Sequence, residues 1–237
     1  MKTGLLLGLV AVSLSLNAYG KDTAGLKTDK QKFSYSVGFQ LGQNLSRQKL
    51  DIDSKIAAQG MQNALSGTTP KLSPEEMRAS IQVYQKKEQD KMEAQGKKNL
   101  EAGQAFLEAN KKKEGVVTLP SGLQYKVLTE GKGKQPKSSD SVIAHYRGTL
   151  INGTEFDSSY KRNEPATFPV QGVVKGWQEA LPLMKEGAKW QIFVPADLAY
   201  GPRGAGQAIG PNETLIFDIE LISVKDSTET KVNKDGK

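Results

Sequence analysis

The residues with chemical potential gather between Val142 and Val224. His145-Tyr146, Glu155-Phe156-Asp157, Val173-Val174-Lys175-Gly176-Trp177, Ala199-Tyr200-Gly201 and Leu215-Ile216-Phe217 repeatedly set aromatic rings beside a single acid, Asp157. Little in this set can serve as a nucleophile. Such an inventory suits a site that works by shape and exclusion of water and forms no covalent intermediate. Asp157 is the informative residue. An acid directly after Phe156 is costly to bury without partners; the alternative is a turn-capping aspartate bonded to the Ser158 or Ser159 backbone. Taken singly, each aromatic is also explained as plain core, Trp177 on a short helix included. His145 reads as a strand histidine with a local partner.

Composition removes most other chemistries. Cysteine is absent and histidine occurs once, so disulfides, thiol catalysis and the usual zinc ligand sets are not on offer. No G-x-S-x-G elbow accompanies His145, and no Walker A pattern occurs. No metal and no other cofactor is expected. The 237-residue chain has a net charge of +7. Its lysines are interleaved with acids, which describes a solvated surface and not a nucleic-acid-binding one.

The elements that must position these residues follow from pattern. Met1 to Gly20 has a positive start, an apolar run from Leu5 to Leu16, and small residues at Ala18 and Gly20, the marks of a signal peptide. An uncleaved anchor is the alternative; once the segment is removed, no stable transmembrane segment remains. Residues 21–72 are expected to form a helical module. Thr28 and Gln31 fit a capping box, and Phe33, Val37 and Leu41 form an apolar stripe widened by Tyr35, Phe39 and Leu45. Asp51 or Asp53 caps a second helix carrying Ile56, Met61 and Leu65, stopped by Ser66 to Pro70. These helices are short and rich in apolar surface, so a second copy is the expected cover; a hairpin closed within one chain is the alternative.

From Ser73-Pro74-Glu75-Glu76, proline at the first helical position and the acids behind it start a long helix over residues 73–113. Gln85 to Asn99 is polar nearly all round, the pattern of a solvent-bridging stalk. Gly96 and Gly103 each cost about 1 kcal/mol relative to alanine, which admits a bend there. Beyond Pro120 the period becomes that of strands: Gly122 to Leu128, Val142 to Leu150 with a tight turn at Asn152-Gly153, Ala188 to Pro195, and Glu213 to Val224. A short helix with Trp177, Leu181 and Met184 lies among them. Residues 114–224 are therefore an α+β domain, an antiparallel sheet wrapped on one short helix. Residues 225–237 are polar and read as a disordered tail.

Tyr146, Phe156-Asp157-Ser158-Ser159, Val173 to Trp177, Ala199-Tyr200-Gly201 and Phe217 to Leu221 resemble, in order and spacing, the FKBP-type peptidyl-prolyl isomerases. The helical part is similar to the N-terminal region of the Mip-like periplasmic group, which are homodimers with a long connecting helix. The resemblance implies that Trp177 floors the pocket beneath the substrate proline. It implies that Tyr146, Phe156, Val173, Val174 and Phe217 are its apolar walls, with Ile209 on an overhanging loop. Asp157 would stand beside the reacting amide, and Tyr200 and the Val174 N–H would donate to substrate carbonyls. Ala166 departs from an aromatic wall position that Phe168 can fill, and Ala205 from a position often held by histidine. The implied partners are unfolded or proline-containing polypeptides, a second copy through the N-terminal helices, and rapamycin-type macrolides. The implied location is the periplasm, with outer-membrane association as an alternative. Isomerisation of X–Pro bonds is the implied activity; a chaperone acting without catalysis and a surface-associated virulence factor are the competing readings.

Overall fold

The computed structural model describes residues 25–48 and 50–226. The expected signal peptide lies outside them, as does the expected tail apart from Lys225 and Asp226. The chain parts into two compact units between Ser73 and Pro74.

The first unit is a pair of helices, α1 (Asp29–Arg47) and α2 (Ser54–Ser66). The capping box at the start of α1 is complete, with the Thr28 side chain accepting from the Gln31 N–H and the Gln31 side chain accepting from the Thr28 N–H. Asp53, and not Asp51, caps α2 by accepting from the N–H groups of Lys55 and Ile56. Gly67 ends α2 in the left-handed conformation that glycine reaches without steric cost. Neither helix buries a residue in the single chain. Phe33 remains 71% exposed and Leu65 83%, so capping defines these helices while their apolar faces stay open. Among the described residues, nothing beyond the neighbouring turns of α1 lies within 4 Å of where a side chain at Gly38 or Gly42 would begin.

The second unit opens with α3 (Pro74–Asn110). It stays helical through both internal glycines. The stalk expectation is corrected in part, because Gly96, Asn99, Gly103 and Asn110 are buried. Their spacing puts them on one helical face, and that face is docked. Strands β1 (Val116–Thr118), β2 (Gln124–Thr129), β3 (Ser141–Leu150), β4 (Glu155–Ser158), β5 (Ala166–Pro169), β6 (Lys189–Val194) and β7 (Leu215–Lys225) form an antiparallel sheet. Its order is β1-β2-β6-β7-β3-β4, with β5 also on β3. The short helix α4 (Lys175–Ala180) and the turn Leu181–Leu183 after it lie against the sheet.

The alternation expected in the last strand is observed: Leu215, Phe217, Ile219 and Leu221 are buried, and their neighbours are less so. The same holds for Val142, Ala144, Tyr146 and Leu150 on β3. These residues join Trp177, Leu181, Met184 and Ile192 in one core. The backbone of the basic turn Gly131 to Lys134 is engaged by Glu186. The N–H groups of Lys132 and Gly133 donate to the Glu186 carbonyl, and that of Lys134 to its carboxylate. Strand β1, which sequence reasoning passed over as a connection, pairs with β2.

Ile219 is fully buried at the centre of β7, opposite Trp190 and Tyr146. Ile219→Ala should destabilise the second unit by about 2–5 kcal/mol, the cost of a core cavity. Urea unfolding followed by tryptophan fluorescence measures it, and a loss well under that range would show that the sheet collapses around the gap.

Candidate active site

Chain connectivity on one edge of β3 creates the site. The first half of β3 pairs with β5 and the second half with β4, so residues 159–165 must leave the sheet and return. They do so through the turn Tyr160–Arg162, closed by Asn163 in the left-handed region. That excursion carries Arg162 back over β3 and β4. The register also sets Gly148 opposite Asp157. A side chain at Gly148 would begin 2.5 Å from the Phe156 ring, so its absence makes room for that ring beside Phe217.

A cavity of about 650 Å³ opens on this side of the sheet. Each of the expected site residues lines it: Asp157, Tyr200, Phe156, Trp177, Tyr146, Val173, Val174, Ile209, Phe217 and Phe168. Ala205 lines it too, whereas Ala166 packs on the core beside it. The Trp177 ring is buried and lies edge-on to three others, at 5.7 Å from Tyr146, 5.5 Å from Phe168 and 5.3 Å from Phe217. Phe156 meets Phe217 in the same way at 5.5 Å. Edge-to-face rings contribute about 0.5–1.5 kcal/mol per pair beyond burial, and here each fixes the orientation of the next. Val174 caps α4, its carbonyl accepting from the N–H groups of Trp177 and Gln178, which sets Trp177 one turn inside the helix. Tyr200 stands 42% exposed, at the rim.

The polar wall is a closed group of three side chains. The Tyr146 hydroxyl donates to Asp157 Oδ2 at 2.5 Å. Arg162 donates through Nη1 to Asp157 Oδ1 at 2.8 Å and through Nη2 to the Tyr146 oxygen at 2.8 Å. The Ser158 N–H also donates to Asp157 Oδ1, so the turn-capping alternative for this aspartate describes one of its bonds. Burial opposes ionisation of Asp157, but the bonds from Tyr146, Arg162 and Ser158 outweigh it and hold its carboxyl below the ordinary value. Burial and the bond to Asp157 raise the Tyr146 phenol, leaving it a neutral donor. Near neutral pH the wall is a carboxylate neutralised by a guanidinium, with no proton to exchange. Sequence reasoning missed Arg162. The available signal was a cation a few residues after the acid, across a turn, but spacing alone did not distinguish it from the solvated Lys161.

His145 lies outside the cavity lining. Its Nδ1 pairs with the Ser159 hydroxyl at 3.0 Å and its ring stacks on Tyr160, in keeping with a locally partnered strand histidine.

Because the folded-state value of Asp157 is depressed, its bonds stabilise the fold above the unfolded value, and that contribution is lost as pH falls through the folded one. Carboxyl ¹³C NMR should show Asp157 titrating below the other aspartates. Arg162→Leu removes an opposing charge while burial remains, so the midpoint should move upward. An unmoved midpoint would mean that Tyr146 and Ser158 suffice.

With this geometry in place, comparison with known proteins is direct. Residues 30–127 match the domain amino-terminal to FKBP-type peptidyl-prolyl isomerase, and residues 132–222 match the FKBP-type peptidyl-prolyl cis-trans isomerase domain. The chain is 50% identical to the outer membrane protein MIP of Legionella longbeachae, over 92% of this chain and 95% of that one. It is 48% identical to the peptidyl-prolyl cis-trans isomerase Mip of Coxiella burnetii, over 93% and 98%. The crystal structure of FkpA from Escherichia coli superposes with a TM-score of 0.62 at 38% identity, covering 86% of this chain and 100% of that one. A helical N-terminal region, an antiparallel sheet domain and a ring-lined cavity thus coincide with matches along nearly the whole chain, which belongs to the FKBP-type peptidyl-prolyl cis-trans isomerases of the Mip/FkpA family.

Proposed function

We propose that the cavity between Tyr146 and Phe217 is where this isomerase turns X–Pro bonds of folding polypeptides, and that it does so without a covalent intermediate. The observation that carries the reading is the pairing of a ring-lined hollow with an acid whose oxygens are already engaged. Amide resonance sets the barrier to rotation at about 18–20 kcal/mol. The planar amide is dipolar; twisting it removes resonance and charge separation. An apolar cavity that displaces water favours the twisted state over the planar one, which is differential binding of the transition state. Trp177, Phe168 and Phe217 supply the surface against which a proline ring packs. Asp157, fixed by Arg162 and Tyr146, provides an oriented negative charge beside the reacting amide. Tyr200 and the Val174 N–H hold the flanking carbonyls. The same cavity would accept a rapamycin-type macrolide, as the family resemblance implies.

We assign residues 21–72 to dimerisation. Gly38, Leu41, Leu45, Ile52 and Met61 line an apolar groove of about 530 Å³ along α1 and α2. An open apolar face of this kind on a secreted protein fits a second copy of itself. Periplasmic residence is supported by the character of Met1 to Gly20, and outer-membrane association, the alternative, by the likeness to the outer membrane protein MIP of Legionella longbeachae. Among the described residues no helix is long and apolar enough to cross a membrane.

A protease-free assay on a Leu-Pro peptide tests the site. The protein should accelerate isomerisation; Asp157→Ala should lower kcat/KM about tenfold or more and Tyr200→Phe about threefold to tenfold, corresponding to about 1.4 kcal/mol and somewhat less. Variants as active as the parent would remove these residues from the mechanism. Deletion of residues 21–69 should give a monomer by sedimentation that keeps peptide isomerisation; a persistent dimer would place the contact elsewhere.

A further inference from the structure

The cavity has a wall that the sheet does not hold. Ile209 and Ala205 line it from the loop that runs from Gly201 to Asn212. Gly201, Gly204 and Gly206 of this loop all have positive φ, a backbone with wide freedom. Two bonds between Ala205 and Ile209 stiffen its tip, and the Asn212 N–H donates to the Gly201 carbonyl at 2.8 Å to close its base. Neither fixes the loop to the rest of the domain.

Packing supplies part of that attachment, since Ile209 is buried in the core and Ala205 lies against it; the polar part comes from α3. Asn99, almost fully buried, donates through Nδ2 to the Pro211 carbonyl at 2.8 Å. Its Oδ1 accepts from Gln95 Nε2 at 2.7 Å, so the amide is oriented before it meets the loop. Proline has no N–H, which leaves the carbonyl as the one backbone group by which Pro211 can be held. Asn212 Nδ2 reaches the Gly96 carbonyl at 3.3 Å. The approach depends on glycine: a side chain at Gly103 would begin 2.2 Å from Thr214 Oγ1, and one at Gly96 3.2 Å from Pro211. The buried face of the connecting helix thus meets the base of the loop at Gly96 and Asn99 and the residue before β7 at Gly103.

We propose that Asn99 is a positioning residue of the isomerase, holding Ile209 in the pocket wall by fixing the Pro211 carbonyl two residues further along the loop. The inference rests on the reading of this cavity as the isomerase site. It makes the turn of α3 from Gly96 to Asn99 a working part of the pocket, and its effect falls on substrate binding because Ile209 is a wall residue and not part of the Asp157 group.

The test is a double-mutant cycle in the full chain, read by KM and kcat on a Leu-Pro peptide. Asn99→Ala should raise KM about twofold to tenfold with kcat little changed, the range for one lost hydrogen bond acting through uniform binding. Gln95→Ala, at an exposed position, should shift KM the same way by less. In an Ile209→Ala background both shifts should vanish, since the side chain being positioned is gone. If Asn99→Ala does not fold, Gln95→Ala carries the cycle. An unchanged KM, or an equal shift with and without the Ile209 side chain, overturns the assignment and leaves the isomerase reading standing. A folded parent protein that does not accelerate isomerisation overturns both.

Discussion

An apolar hollow inside a small domain is a structure that the hydrophobic effect works to close. Side chains facing empty or watery space lose dispersion contacts and expose apolar area, and cores normally repack to remove such gaps. This fold keeps its cavity open by making the lining rigid. Trp177 stands edge-on to Tyr146, Phe168 and Phe217, so no ring can tilt into the hollow without breaking contact with another. Tyr146 is further pinned by its hydroxyl between Asp157 and Arg162. The cavity is therefore sustained by its walls, as a binding site for an apolar ring has to be.

The three-membered polar group serves the same end by electrostatic means. A carboxylate facing an apolar cavity would ordinarily take up a proton or turn toward water. Here burial does push against its charge, and Tyr146, Arg162 and the Ser158 N–H together push back harder. The result is a half-exposed charge held in one place by three donors. A charge of fixed direction discriminates between a planar and a twisted amide; one that could rotate or protonate would relax around either and distinguish neither.

How much of this was legible in the chain depends on the range of the interaction. The capping box at Thr28, the alternation in β3 and β7, and the turn at Asn152-Gly153 are local, and each appeared where residue pattern placed it. The lining residues were legible because they recur in short motifs whose order resembles a known family. Strand β1 was missed because three residues, Val116–Thr118, are too few to show alternation; only pairing with β2 makes them a strand. The helix glycines were misread for a related reason. In isolation, Gly96 and Gly103 register only as a loss of helix propensity. Their use emerges with Pro211 and Thr214 beside them, and the bond from Asn99 to Pro211 spans 112 residues of sequence.

That long-range contact changes how the two halves of the pocket divide their work. The floor is built from the sheet, from α4 packed on it and from the Asp157 group bonded across β3 and β4. The opposite wall rides on a glycine-rich loop that meets this floor through the packing of Ile209 and Ala205. Such a loop must yield if a chain segment is to enter and an altered isomer is to leave, yet it must return to one position if binding is to be selective. A tether at the loop's base satisfies both demands better than one at its tip, because it fixes where the loop returns without adding a bond to the residues that face the pocket. Asn99 and the bare backbone at Gly96 provide such a tether from α3. A helix that looks from its sequence like a spacer thereby has a role internal to the isomerase domain.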